Sequence, residues 1–256
     1  HHVVGAREDA AVEPGKCAAA RTGAAAPPHE IARAVANHGT GEAAERGDHE
    51  LPHVAIGCRS GRGRIDEALK ELDGTGFTVS VDTMNPWVLD VCLKHEIHAV
   101  NDIAGFCSEA YVKRVAGAGL PAIVMATDYT PGDAVGVEAT HTALATVMQR
   151  CSTAGIDNYV LDPGIGLWTP FRSVDDDWEL SRRFDEFLRY DRPLLAAVSR
   201  KSFIGNLLDR LPQERLAGSL AVTMDLLRKG AAMVRTHDVR ETVDTVRVFE
   251  RLVKRR

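Results

Sequence analysis

No apolar run in this sequence approaches the roughly 18 residues that a membrane-crossing helix needs, so the chain does not read as a membrane protein. Positive charge is not in excess. Lys and Arg number 31 against 36 Asp and Glu, a net charge of −5, which argues against nucleic acid as the main partner. No C-x-x-C pair occurs. The five cysteines (Cys17, Cys58, Cys92, Cys107 and Cys151) are scattered, and such a set reads as reduced thiols of a cytoplasmic protein. The first residues, His1 to Gly5, lack the charged region and apolar core of a signal peptide. A G-x-G-x-x-G phosphate turn after the first strand is missing too, which counts against a doubly wound dinucleotide sheet.

What is present is the composition of an ordinary globular domain, 45% apolar and 26% charged over 256 residues, the usual size of an α/β barrel. Residues 1–52 read as an atypical N-terminal segment. His2 to Gly5 could form a strand, residues 6–28 show no period and read as a loop, and Glu30 to Ala36 has weak helical character. This segment could supply a first βα unit and be partly mobile. From His53 onward, apolar strands alternate with amphipathic helices. The strands are placed at His53–Gly57, Thr78–Val81, His98–Val100, Ala122–Met125, Asn158–Leu161, Leu194–Val198 and Ala232–Val234. The intervening helices include one starting at Asn85-Pro86 with Trp87, Val88, Val91 and Cys92 facing inward, and one capped by Ser173 and running to Leu188. Apolar strands alternating with helices imply a parallel sheet covered by helices. Seven such units, with an eighth available at the N-terminus, imply a single-domain (β/α)8 TIM barrel over residues 53–256, an open sheet being the alternative.

Barrels carry their sites at the C-terminal ends of the strands. Read in order, those ends are Asp82, Asn101, Met125, Asp162, the run Ser199-Arg200-Lys201-Ser202, and Arg235 with His237. Each alone could be a turn former or cap, and the basic run alone could be a surface turn. Together on one rim they fit a ligand. Two carboxylates and an amide suit a nitrogen heterocycle with several donors and acceptors. Arg235 and His237 suit an oxyanion such as phosphate. Asp238 could orient His237 or cap the last helix. His95 and His98 flank Glu96, a weak metal-site pattern.

These residues resemble a known family. Val79-Ser80-Val81-Asp82-Thr83, Asn101-Asp102-Ile103, Asp162-Pro163-Gly164-Ile165-Gly166, Ser199 to Gly205 (SRKSFIG) and Arg235-Thr236-His237-Asp238-Val239 are similar to the motifs of dihydropteroate synthase, and the ending looks closer to archaeal-type members. The resemblance implies a transferase of folate biosynthesis and a sulfonamide target. It would join 6-hydroxymethyl-7,8-dihydropterin diphosphate to p-aminobenzoate and release diphosphate. It implies that Lys201, Asp82, Arg235 and His237 act in catalysis, with Arg235 and His237 on the diphosphate. It implies that Asn101, Met125, Asp162 and Gly166 hold the pterin, that Ser202 lies near the p-aminobenzoate carboxylate, and that Arg62 meets substrate. A magnesium ion and a homodimer through the later helices are implied as well. The metal ligands are not identified, because the family's N-x-T-P-D-S-F loop has no match. The second loop, usually close to G-G-E-S-T-R-P-G, is here Gly57 to Gly63. Ala55, Ala126 and Leu167 replace an Asp, a His and an aromatic, although Trp168 follows Leu167 and could cover the same space. The alternatives are a methanopterin-pathway counterpart using another aryl amine, the pterin barrel of a corrinoid-linked methyltransferase, and a non-catalytic pterin-binding module.

Overall fold

Among the described residues, nine short strands share one sheet in the computed structural model, and eight of them run parallel. The structure describes residues 2–5, 33–37, 53–57 and 62–253, with side chains from Ile65 onward. The strands are β1 (His2–Gly5), β2 (Arg33–Asn37), β3 (His53–Gly57), β4 (Thr78–Asp82), β5 (Ala99–Asp102), β6 (Ala122–Met125), β7 (Tyr159–Asp162), β8 (Leu195–Ala196) and β9 (Met233–Thr236). Parallel ladders run unbroken from β2 to β7 and from β8 through β9 back to β2. A parallel bridge between Leu161 and Leu194, with the Leu161 N–H donating to the Pro193 carbonyl at 2.9 Å, joins β7 to β8 and closes the ring. The architecture is therefore the closed α/β barrel, not the open sheet. Strand β1 is antiparallel to both β2 and β9.

Two expectations change at the strands. Arg33–Asn37, read as weakly helical, is a strand between β3 and β9. Its alanines carry little strand preference of their own, and the two neighbouring ladders decide its state. Only Leu195–Ala196 of the apolar run after Pro193 is in the ladder, because Leu194 is spent on the closing bridge.

The helices form for local reasons. They are α1 (Arg62–Leu72), α2 (Pro86–Cys92), α3 (Glu109–Ala118), α4 (Gly136–Thr153), α5 (Val174–Arg182), α6 (Ser202–Leu208), α7 (Leu216–Arg228) and α8 (Val239–Val253). Asn85 caps α2 by accepting from the Trp87 N–H at 2.9 Å, with Pro86 at the first helical position. Ser108 caps α3, which ends on Gly119 at φ 65°. Ser173 and Asp176 make a reciprocal capping box on α5. That helix stops at Arg182, and Phe184–Tyr190 continues as a tighter 3₁₀ segment rather than as the expected α-helix to Leu188. Its buried Phe184 and Phe187 face each other edge-on, which the tighter winding permits. In α2, Val88, Leu89 and Cys92 are buried, whereas Trp87 is 60% exposed with the Arg114 guanidinium over its ring. The inward placement of Trp87 is thus corrected.

Alternation along each strand separates two cores. Val79, Val81, Val100, Val124, Leu161, Ala196, Val198 and Val234 belong to the large core between sheet and helices. Ile123, Leu195 and Ala197, with Val160 and Met233 against them, fill the barrel interior. A barrel filled this way has a floor, and its ligands must enter at the strand tips.

Near the C-terminal ends of α1 and α2, the His95 ring contacts Asp73 at 2.7 Å and Asp66 at 3.0 Å. These carboxylates engage both ring nitrogens of His95, and among the described residues no three potential metal ligands converge; His98 accepts the Val79 N–H through Nδ1 at 3.1 Å. Hydrogen bonds donated to Asp73 and then to Asp66 hold the imidazolium pKa above its usual value. The stabilisation from a raised histidine pKa is fully present below the unfolded value and is lost as pH rises through the folded one. His95→Ala is therefore expected to lower the melting temperature at pH 6 and to have a smaller effect at pH 9. Equal losses at both pH values in thermal denaturation would contradict the ion pairs.

Candidate active site

In β4 to β7 and in β9, the interior-facing residue at the strand's C-terminal end is polar or soft, while the layer below is largely apolar. Asp82 ends β4, Asn101 stands in β5, Met125 ends β6, Asp162 ends β7 and Arg235 stands in β9. Register puts Asp82 beside Asn101 and Met125 beside Asp162. Above this layer opens a cavity of about 660 Å³, whose lining includes Asp82, Gly166, Trp168, Lys201, Arg235 and His237. Asn101, Met125 and Asp162 lie beneath the mouth with exposures of 4%, 1% and 3%. The Asn101 Nδ2 is buried without a hydrogen-bond partner, which leaves a donor for a ligand.

The charges of the cavity act on one another. Arg235 donates from Nη1 to the Asp82 carboxylate at 3.3 Å, across the ring. Burial raises the Asp162 pKa, against the opposing pull of Arg235 and Lys201. One Asp162 oxygen accepts the Gly164 N–H at 2.7 Å, leaving the other for a ligand donor. Burial, then the Arg235 charge, push the Lys201 ammonium down to about 8, against the pull of Asp162 and Asp177. Its Nζ sits 4.8 Å from the centre of the Trp168 ring, a cation–π contact.

Lys201 and Arg200, adjacent in sequence, diverge. Arg200 stands at φ 57°, and its guanidinium pairs with Asp238. Both Asp238 carboxylate oxygens accept from that guanidinium. His237 is oriented by Ser199, whose Oγ accepts the His237 backbone N–H and lies 3.0 Å from its Nδ1. Desolvation and the Arg200 charge bring the imidazole down to about 4, so it is neutral near pH 7. Ser199 is placed to donate to Nδ1, which puts the ring proton on Nε2, a donor suited to an anion. Ser202 opens α6 at the cavity rim. Arg62 begins α1, and its side chain, like the loop of residues 58–61, lies outside the described residues.

Gly166 is required by what faces it. A Cβ there would stand 2.7 Å from the Lys201 Nζ, at a φ of +147° that L side chains rarely adopt. Gly166→Ala is expected to fold, to push Lys201 off the Trp168 ring, and to weaken ligand binding by about 10-fold, the loss of one such contact plus one hydrogen bond. Calorimetry with 7,8-dihydropteroate checks this, and wild-type affinity would contradict it.

Trp168, which follows Leu167 at the family's aromatic position, is the platform for Lys201. Two residues of this site escape sequence reading. Arg172 and Asp177 are buried behind the Gly164–Gly166 loop, 3.8 Å apart. Asp177 is one of three acids in the first turn of α5, and nothing in the sequence distinguishes it from its exposed neighbour Asp175.

The family model described as pterin binding enzyme matches residues 59–237, the span that contains every strand tip named above. This chain belongs to the pterin binding enzyme family. Dihydropteroate synthase of Escherichia coli K12 is 36% identical over 182 residues, 67% of this chain and 63% of that protein. The chain thus spans a little under two thirds of that relative's length. Among solved structures, the dihydropteroate synthase of Xanthomonas albilineans in complex with 7,8-dihydropteroate is similar at TM-score 0.69, with 28% identity over 80% of this chain and 82% of that one. That of Thermus thermophilus in complex with 4-aminobenzoate is similar at TM-score 0.68, with 30% identity over 78% and 84%. These relatives are bacterial, and they lend no support to the archaeal-type resemblance. Among the described residues no helix is long and apolar enough to cross a membrane.

Proposed function

We propose that this pterin-binding barrel is a dihydropteroate synthase, condensing 6-hydroxymethyl-7,8-dihydropterin diphosphate with p-aminobenzoate to give 7,8-dihydropteroate and diphosphate. The observation that carries the proposal is the single layer of Asp82, Asn101, Met125, Asp162 and Arg235, with Lys201 above it, in a barrel whose relatives are named for this reaction. The ligands named for two solved relatives, 7,8-dihydropteroate and 4-aminobenzoate, are this reaction's product and second substrate.

The residues assign themselves by charge. Asp162 and Asn101 take the donor and acceptor edge of the pterin, and Met125 packs beside it. Lys201 lies over the ring. Arg235 and the neutral His237 receive the diphosphate, whose departure breaks the C–O bond at the pterin methylene. The ring then carries positive charge, which the Asp162 and Asp82 carboxylates are placed to stabilise. The aryl amine attacks that carbon and loses a proton to solvent. Ser202, at the rim, faces the aryl carboxylate.

Magnesium finds no cage of protein ligands among the described residues, where no three His, Cys, Asp or Glu side chains converge. No step here passes through it. A homodimer belongs to the same proposal. An apolar groove of about 370 Å³ lined by Trp178, Ile204, Leu207 and Val222 lies on the later helices, and light scattering tests its pairing. The decisive assay supplies the pterin diphosphate and p-aminobenzoate and follows diphosphate release. Pterin binding without release would make the chain a binding module.

A further inference from the structure

Behind the cavity, and not lining it, the Arg172–Asp177 pair is anchored to the backbone that shapes the site. The Gly166 N–H donates to Asp177 Oδ1 at 2.7 Å, and Arg172 Nη1 donates to the Gly164 carbonyl at 2.9 Å. The same carbonyl accepts the Trp168 indole N–H at 2.9 Å. Both ends of the Gly164–Gly166 turn, and the ring beneath Lys201, are thus fixed from one buried pair. Side-chain exposures of 1% for Arg172 and 0% for Asp177 make this a costly arrangement. Arg172 Nε and Nη2 and Asp177 Oδ2 are buried with no hydrogen-bond partner. A helix cap or a surface ion pair would not need such burial. An apolar pair of the same volume would pack the space at lower cost, but it could not grip two backbone groups.

We propose that Asp177 and Arg172 are positioning residues for Lys201. They lock the Gly164–Gly166 turn so that the Gly166 backbone and the Trp168 ring hold the ammonium over the ligand, and Asp177 supplies a second negative charge behind it. Among the described residues, Arg235 from β9 and Arg172 from the loop between β7 and α5 press on the Lys201 charge, while Asp162 from β7 and Asp177 from α5 favour it; Asp82 of β4 and His237 line the same cavity. Of the two favouring carboxylates, Asp162 is the one that also meets ligand. Asp177 can therefore tune Lys201 without touching substrate. The inference rests on the proposed function for what Lys201 contacts, but not for how its charge is held.

Asp177→Asn in the full chain tests this, because an amide oxygen can still accept the Gly166 N–H while the charge is gone. The rate of acetylation of Lys201 by acetic anhydride, followed against pH by mass spectrometry, reports its titration with no ligand present. The expected result is a midpoint lower by about one pH unit, with the melting curve still cooperative. Asp177→Ala, which also removes the acceptor, is expected to lower 7,8-dihydropteroate affinity by about 10-fold more than Asp177→Asn. An unchanged Lys201 midpoint in Asp177→Asn would overturn the positioning role, even if the protein binds pterin. Equal affinities of the Asn and Ala variants would overturn the lock on the turn. Failure of the wild-type protein to bind 7,8-dihydropteroate would instead sink the proposed function and leave the Lys201 titration as the remaining test.

Discussion

Asp162→Ala is expected to reduce affinity for 7,8-dihydropteroate by roughly a hundredfold or more, while leaving the fold intact. The side chain is 3% exposed, and one oxygen is already committed to the Gly164 N–H. The remaining oxygen would accept from the pterin edge in surroundings that water does not reach. Removing one partner of a buried charged hydrogen bond costs about 3–5 kcal/mol, and each 1.4 kcal/mol is tenfold. Asp162→Asn separates shape from charge. It is expected to bind the neutral product better than Asp162→Ala does, yet to release diphosphate slowly, because the carboxylate faces the positive charge that develops on the ring. The stability effect should run the other way. Burial raises the folded pKa of this carboxyl group, so the contribution to stability is fully present below the unfolded value and is lost as pH rises through the folded one. Asp162→Asn should therefore melt no lower than wild type at pH 8. Wild-type turnover by this variant would remove the electrostatic role assigned to Asp162.

Arg235→Met is expected to discriminate between the two pterin ligands. Arg235 joins Asp82 across the ring and is the cation that acts most strongly on both Asp162 and Lys201. If it holds the departing diphosphate, its loss removes charge-assisted bonds worth about 1.5–3 kcal/mol each. The Michaelis constant for the pterin diphosphate should rise, and turnover fall, by about 100-fold. Affinity for 7,8-dihydropteroate, which carries no diphosphate, should change much less. Arg235→Lys keeps the charge without the planar fork and should lie between. Steady-state kinetics of diphosphate release, set beside calorimetry with the product, measures both quantities. A parallel loss of product affinity would show that Arg235 serves the pterin or the barrel instead of the phosphate.

Much of the barrel was legible because its strands are apolar throughout and its helices carry caps that act locally. Asn85-Pro86 and Ser173 each begin a helix by bonding the next few backbone groups, and such signals survive in one dimension. The strand tips were legible for a related reason: a polar residue ending an apolar run is conspicuous. Less visible were elements whose state depends on partners distant in the chain. Arg33–Asn37 is a strand because β3 and β9 flank it. Trp87 lies outside because its neighbours Val88 and Leu89 already fill the inner face of a two-turn helix.

The sequence by itself determined the alternation of strand and helix, the barrel that this alternation requires, and the residue types at its mouth. The tertiary structure decided which charges meet. Arg200 turns away to Asp238 while its neighbour Lys201 turns in over Trp168, and Asp177 alone among three adjacent acids is buried against Arg172. Periodicity reports which face a side chain occupies, but its electrostatic partners are set only when the ring of strands closes and brings distant segments within a few ångströms.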